Sequence, residues 1–392
     1  MDNKFSEILI KKIKIYKTRY PNKNAISILK LTFFLVKSLF YKKQTTEKSS
    51  ADITPSNFID KIAFLVHGGL GDHLIAANYI FAFKNQLKID SSEIYIYSDR
   101  SYAPFIFSAL TKNIFLGTSP RQYFSLLISL TRFPNILSIN NENSIHKNNL
   151  KLTNWIQHQL DLKEKYPKYF SSSECDGESA LLCLIKNKKR INQPDTSNDF
   201  HLTEEYLYKG IPVEYKILHK YALKKNKYIT VHRGVDSIIT KDSTKLWPQS
   251  YYNSLITKLK KLFPEHKIIQ LGLSHTRCES MKNIDINLVE KTTLSDIAAL
   301  LENAYIHIDC EGGLVHLRHA LKGGKSVVLF GPTSPDFFGY SENINIRSNS
   351  CPCPCEWMTR NWQETCIRDT QKHVCMKNID PDIVITRIAE FF

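Results

Sequence analysis

The feature that most restricts this chain is a buried strand running through glycines into a helix, and residues 305–340 hold its clearest instance. Residues 305–309 are short, apolar and β-branched, as a strand buried on both faces should be. Gly312 and Gly313 then allow a sharp turn and close approach of backbone to a ligand. Leu314, Leu317, Ala320 and Leu321 follow at helical spacing, Gly323 and Gly324 stop that helix, and Ser326–Phe330 reads as the next buried strand. Such a turn aims backbone N–H groups and the positive end of a helix dipole at one place, which suits a phosphate. An earlier stretch repeats the pattern: a strand at 62–66, then His67-Gly68-Gly69-Leu70-Gly71-Asp72, then a helix to about residue 85.

The alternation continues between and beyond these stretches. A strand is expected at 93–97, with further α/β units to about residue 139. Later come a strand at Tyr228–His232, an amphipathic helix at 251–263, a strand at Lys267–Leu271 and a helix at 294–301. Strands alternating with helices mean parallel sheets, here two, with a cleft at their carboxyl ends. With 392 residues the chain exceeds one typical domain. We divide it into a basic extension and linker (1–57), a first Rossmann-like domain (58–215) and a second (216–392) that ends in a cysteine-rich tail. Residues 140–198, rich in lysine and asparagine, form a looser part of the first domain.

The extension carries Lys11, Lys12, Lys14, Lys17 and Arg19 ahead of an apolar run at 25–41 that Lys30 and Lys37 interrupt. That run is too short and too charged to span a bilayer. It reads either as an interfacial helix drawn to anionic lipid or as a helix packed on its own protein. The chain holds 53 Lys and Arg against 38 Asp and Glu, a net charge of +15, which calls for an anionic partner. No nucleic-acid motif accompanies the charge, so nucleic acid is excluded as partner. Five of the nine cysteines gather near the C-terminus and no signal peptide is visible, so a reducing cytoplasm fits, with peripheral contact to the inner membrane.

Four blocks in order resemble the bacterial lipopolysaccharide heptosyltransferases, the ninth glycosyltransferase family. They are VHGGLGDHL at 66–74, STKLWP at 243–248, Glu311-Gly-Gly-Leu-x-His316 followed by FGPTSP, and Cys-Met-x-x-Ile-x-Pro-x-x-Val at 375–384. The family carries Asp-Thr-Gly-Leu-x-His at the third block, so Glu311 and Gly312 depart from it. The resemblance implies a GT-B fold, two Rossmann-like domains facing across a cleft, the first for the acceptor and the second for the nucleotide sugar. It implies inverting transfer of a sugar, heptose from ADP-heptose, to a hydroxyl of lipopolysaccharide or another cell-surface glycan. The alternatives are a protein O-heptosyltransferase acting on an autotransporter, and a non-catalytic nucleotide-sugar-binding protein.

Asp72 stands where glycine loop becomes helix, where an aspartate is a good N-cap; the family resemblance makes it the general base for the acceptor hydroxyl. Lys245, ahead of Trp247-Pro248, is placed to donate to diphosphate oxygens as a point charge, with Arg233 a weaker candidate. The expected donor contacts are Gly71, Thr244, Glu311 (to sugar hydroxyls), the amides of Gly312, Gly313 and Leu314, and His316. By resemblance Glu279 binds the ribose. His67 and His73 read as structural or substrate-orienting. No metal is expected at the diphosphate, because lysine and helix dipole supply the positive field. In the tail, Cys353, Cys355, Cys366 and Cys375, with Cys351 and His373 nearby, have the thiols for a structural zinc or iron, although Cys-x-Cys-x-Cys is not the common zinc spacing. Free thiols are the other reading.

Overall fold

The structure, a computed structural model, describes residues 58–117, 120, 122–130, 134–140, 148–165, 208–235, 243–272, 280–350, 354–355, 362–366 and 374–392. The basic extension at 1–57, Glu279, Cys351, Cys353 and His373 lie outside the described residues.

The first sheet has the order β3-β2-β1-β4-β5, from strands Phe58–Val66 (β1), Ile94–Ser98 (β2), Asn113–Leu116 (β3), Tyr123–Ser129 (β4) and Asn135–Ile139 (β5). Ile62, Phe64 and Val66 of β1 and Ile94 and Ile96 of β2 are fully buried, joining the core that covers helix α1 (Leu70–Leu87). The sheet is parallel except at its edge, where β5 runs antiparallel to β4. A continuing series of α/β units was expected there. Only residues 130–134 separate β4 from β5, too short for the dozen or so residues a parallel crossover needs. The looser region holds a helix, α3 (Leu150–Lys165), after a short α2 (Ala103–Phe107). Asn149 starts α3, accepting from the Leu152 amide at 3.1 Å, and also donates to Leu87 O at 2.7 Å, which ties α3 to the end of α1.

Tyr208 still belongs with the first sheet, its amide donating to Asn78 Oδ1 at 2.9 Å and its hydroxyl to Ile106 O at 2.6 Å. Tyr215 already donates to Glu302 of the second half at 2.7 Å, just before α4 (Lys216–Lys220). The second sheet comprises Tyr228–His232 (β6), Lys267–Leu271 (β7), Ile286–Asn287 (β8), Ile306–Cys310 (β9), Ser326–Phe330 (β10) and Ile344–Arg347 (β11). Its order is β11-β10-β9-β6-β7-β8, and every pairing in it is parallel. Helices α5 (Gln249–Leu262), α6 (Leu294–Asn303), α7 (Gly313–Ala320), α8 (Pro335–Phe338), α9 (Val374–Lys377) and α10 (Pro381–Phe391) complete this half. Thr293 and Asp296 form a reciprocal capping box at the start of α6, at 3.2 and 2.9 Å. Strand order reverses at β1 in one sheet and between β6 and β9 in the other, the places where open α/β sheets hold ligands. These two parallel-sheet α/β halves are the expected GT-B architecture.

Candidate active site

In the first turn, β1 ends at Val66 and α1 begins at Leu70 with Gly69 at the N-cap. Asp72 is therefore not the cap but the third helical residue, and its Oδ2 accepts the Gly69 N–H. Gly68 is turned to φ +108°, and a Cβ there would lie 2.2 Å from Asp72 Oδ2. The missing side chain at Gly68 thus makes the room into which the carboxylate folds. Arg100 Nε donates to Gly68 O at 2.7 Å and holds the turn from the other side. His73, fully buried, binds Gly69 O through Nδ1 at 2.8 Å and Ser98 Oγ through Nε2 at 2.7 Å. Burial lowers its pKa to about 4, so at neutral pH Nδ1–H donates to the carbonyl and Nε2 accepts from the hydroxyl. Both nitrogens are occupied, which makes His73 the structural tie between α1 and β2.

The second turn is built around an ion pair. Lys245 Nζ lies 2.5 Å from Glu311 Oε2, and His316 Nε2 lies 3.7 Å from Oε1. Burial alone would raise the Glu311 pKa, but the Lys245 and His316 charges and bonds outweigh it and hold the carboxyl at about 2. The sequence placed Glu311 on donor sugar hydroxyls; in the structure its near partner is Lys245. The Ser-Thr-Lys-Leu-Trp-Pro block explains how the lysine is held. Leu246 and Trp247 are buried on one side of it, and Trp247 Nε1 donates to Ile379 O at 2.8 Å. Thr244, expected at the donor, instead joins the tail: its amide donates to Gln363 O at 2.8 Å and its hydroxyl to Trp362 O at 2.9 Å. It is 4% exposed.

Helix α7 starts at Gly313 behind Gly312, and the amides of Gly312, Gly313 and Leu314 fall in the first turn, where a helix offers them no internal acceptor. Gly312 has ordinary extended backbone, and a Cβ there would meet nothing nearer than Cys310 O at 3.8 Å. The close approach is at Gly313 instead, where a Cβ would lie 2.8 Å from Leu70 Cβ and 3.2 Å from Gly71 N. A Cβ on Gly71 would in turn lie 2.8 Å from the His316 ring. The starts of α1 and α7 therefore abut, glycine against side chain in both directions, with Asp72 on one side and the Lys245–Glu311 pair on the other. A carboxylate at one helix start, with a cation and free-ended amides at the other, can take a proton from one molecule while holding an anion of another.

Residues 184–365 match a family described as glycosyltransferase family 9 (heptosyltransferase). Over that segment, a little under half of its length, the chain is similar to glycosyltransferase family 9. That match supports a sugar transferase. Solved structures of similar fold include ADP-heptose lipopolysaccharide heptosyltransferase II of E. coli, at 14% identity over 84% of this chain and 98% of that one, with a TM-score of 0.43. A family 9 glycosyl transferase from Veillonella parvula DSM 2008 is 14% identical over 85% of this chain and 97% of that one, TM-score 0.49. The dodecameric iron-containing heptosyltransferase TibC of enterotoxigenic E. coli H10407, in complex with ADP-D-β-D-heptose, is 14% identical over 87% and 80%, TM-score 0.48. A comparison with curated proteins finds no match.

Two elements of the site escaped sequence reasoning. Tyr340 Oη sits 2.6 Å from His316 Nδ1, and the His319 ring stacks on Tyr340 at 3.5 Å, so the ring of His316 is fixed from behind. Arg100 at the first turn is the other. A tyrosine buried at a loop end needs a polar partner for its hydroxyl, which was the available signal for Tyr340. In the tail, the Cys355 amide donates to Pro332 O at 2.9 Å, and a Cβ on Gly331 would lie 2.8 Å from the sulfur of Met376, next to Cys375. Among the described residues no group of three or more His, Cys, Asp or Glu is placed to hold a metal, and Cys353 lies outside them. Also among the described residues, no helix is long and apolar enough to cross a membrane.

Proposed function

We propose that this enzyme transfers a sugar with inversion from a nucleoside diphosphate donor, ADP-heptose by family likeness, to a hydroxyl of lipopolysaccharide or another cell-surface glycan. The observation behind this is the abutting pair of helix starts, with the Asp72 carboxylate on one and the Lys245–Glu311 pair on the other. Asp72 takes the acceptor proton as the acceptor oxygen bonds to the anomeric carbon. The bond from that carbon to the diphosphate breaks on the opposite face. Lys245 and the amides of Gly312, Gly313 and Leu314 stabilise the departing nucleotide. Glu311 aims Lys245, and His316, steadied by Tyr340, borders the same pocket beside Gly71. Glu279 takes the ribose. The division between acceptor and donor halves falls near residue 215.

The tail segments bearing Cys355, Cys366 and Cys375 converge on the turn at Thr244 and Gly331-Pro332, through the Cys355, Gln363, Trp362 and Met376 contacts. Cys353, Cys355, Cys366 and Cys375 supply the thiols for a structural zinc or iron, but the three of them that are described do not stand together as a metal group, so a metal would have to draw them in to brace the turn that carries Lys245. The enzyme works in the cytoplasm, and the basic extension attaches it to anionic membrane.

Calorimetry and product analysis test the main reading. ADP-heptose should bind in preference to UDP- and GDP-sugars and react with a lipopolysaccharide-core acceptor to give product of inverted anomeric configuration. Transfer to a serine-bearing autotransporter segment alone would replace the glycan acceptor. Binding without transfer to any acceptor would remove the mechanism. Elemental analysis showing no zinc or iron in stable protein would remove the metal.

A further inference from the structure

Beside the turn that carries Glu311, four polar side chains line adjacent strands of an otherwise apolar sheet. Thr230 and His232 lie on β6, and His307 and Asp309 lie on β9, with Thr230 opposite His307 in the parallel ladder. Alternation along a strand puts all four on one face. His307 is fully buried, its Nδ1 3.0 Å from Thr230 Oγ1 and its Nε2 3.5 Å from Asp309 Oδ2. His232 Nδ1 lies 2.9 Å from both oxygens of Asp309. The Asp309 side chain is 2% exposed, against 12% for His232. Burial would raise the Asp309 pKa, but His232 and then His307 outweigh it, so the carboxyl is ionised.

Burying a carboxylate in the middle of a sheet is costly, and a neutral residue would fill the same space. The cations near it are turned elsewhere: Arg233 Nε donates to Trp247 O at 3.0 Å, and the Arg318 guanidinium binds the carbonyls of Leu301, Ala304 and Gly324. The charge of Asp309 thus acts on His232. The Asp309 oxygens accept the hydrogen bond from Nδ1–H and leave Nε2 for another partner. His232 is the last residue of β6, at the carboxyl end of the strand where the order of the sheet reverses, and Asp309 stands two positions before Glu311. A ligand in that crevice meets His232 before anything deeper in the sheet.

We infer that His232, oriented by Asp309, is a further contact of the donor diphosphate, donating from Nε2 to a phosphoryl oxygen of the leaving nucleotide. This rests on the donor reading above. With Nδ1–H directed at Asp309, a contact from Nε2 to a phosphoryl oxygen uses both ring nitrogens as donors. No proton transfer is required; the hydrogen bond strengthens as charge gathers on the leaving oxygen.

The test compares His232→Asn, which keeps a donor where Nδ1 meets Asp309 but nothing at Nε2, with His232→Gln, which places an amide N–H near Nε2. Affinities of the full chain for ADP and for adenosine are measured by calorimetry, with Lys245→Ala alongside. His232→Asn should weaken ADP by roughly tenfold or more while adenosine is unchanged, and His232→Gln should recover part of the loss. Equal losses for ADP and adenosine would make the pair structural and overturn the inference. ADP binding weakened by Lys245→Ala but untouched by His232→Asn would overturn it and leave the donor reading standing. Wild-type protein that binds ADP no more tightly than adenosine would sink both.

Discussion

The two glycine turns of this enzyme look alike in sequence and are opposite in electrostatics. At the first, the Asp72 carboxylate folds back over its own loop onto the Gly69 amide, in space that Gly68 leaves open. At the second, the Glu311 carboxylate is buried against Lys245 and His316, and its pKa falls to about 2. A group held that low does not take up a proton at neutral pH, so Glu311 is no base, however near it lies to the reacting atoms. Asp72, after the glycines of one turn, and Glu311, before those of the other, therefore divide the work in the mechanism proposed above: one accepts a proton, the other aims a cation. The difference comes from partners supplied by distant segments, Lys245 above all.

The largest expected effect separates these roles. Asp72→Asn keeps an acceptor for the Gly69 amide but loses the basic oxygen, so turnover should fall by about 10²–10⁴-fold with ADP affinity and melting temperature little changed. Near-normal turnover would reduce Asp72 to a helix-start residue. Next, Gly68→Ala places a Cβ 2.2 Å from Asp72 Oδ2 at φ +108°, so it should cost about 1–3 kcal/mol of stability and lower turnover by displacing the carboxylate. Gly69→Ala, whose Cβ would meet that oxygen at an ordinary 3.6 Å, is the control and should fold and turn over normally.

Acid should dismantle the two turns in separate windows. His73 falls from 6.5 to about 4 on folding, so its contribution is complete above 6.5 and is lost as pH drops toward 4. Glu311 falls from 4.5 to about 2, so its contribution is complete above 4.5 and is lost only as pH drops toward 2. In both cases the unfolded chain binds the proton first, and each window is worth on the order of 3 kcal/mol. Denaturant melts across pH should show both, with Glu311→Gln flattening only the lower. A single window removed by one substitution would merge the two turns. The smallest effect is at the crossing. Gly313→Ala, pressed on Leu70, should lose about 1–3 kcal/mol, while Gly312→Ala, in open extended backbone, should change stability by less than about 0.5 kcal/mol. Equal melting temperatures for the two would deny the close approach of α1 and α7.

Much of the fold was legible because its signals are local. Tyr228–His232, Lys267–Leu271 and Ser326–Phe330 were read residue for residue, since β-branched runs bounded by turn formers leave little choice. The antiparallel β5 was not, because an apolar run of that length looks the same in either direction and only the brevity of 130–134 forbids a crossover. At the site, the helix starts were visible in their glycines. The destination of Thr244 was not, since its partners Trp362 and Gln363 come from the tail.

By itself the sequence determined where strands end, where helices begin and which residues stand at those junctions, because dihedral freedom at glycine and the periodicity of apolar side chains act over a few residues. Only the tertiary structure decided what each junction residue does. Whether a carboxylate meets an amide, a lysine or a histidine depends on which distant segments the packed sheets bring beside it, and in a low-dielectric interior that neighbour sets its charge state.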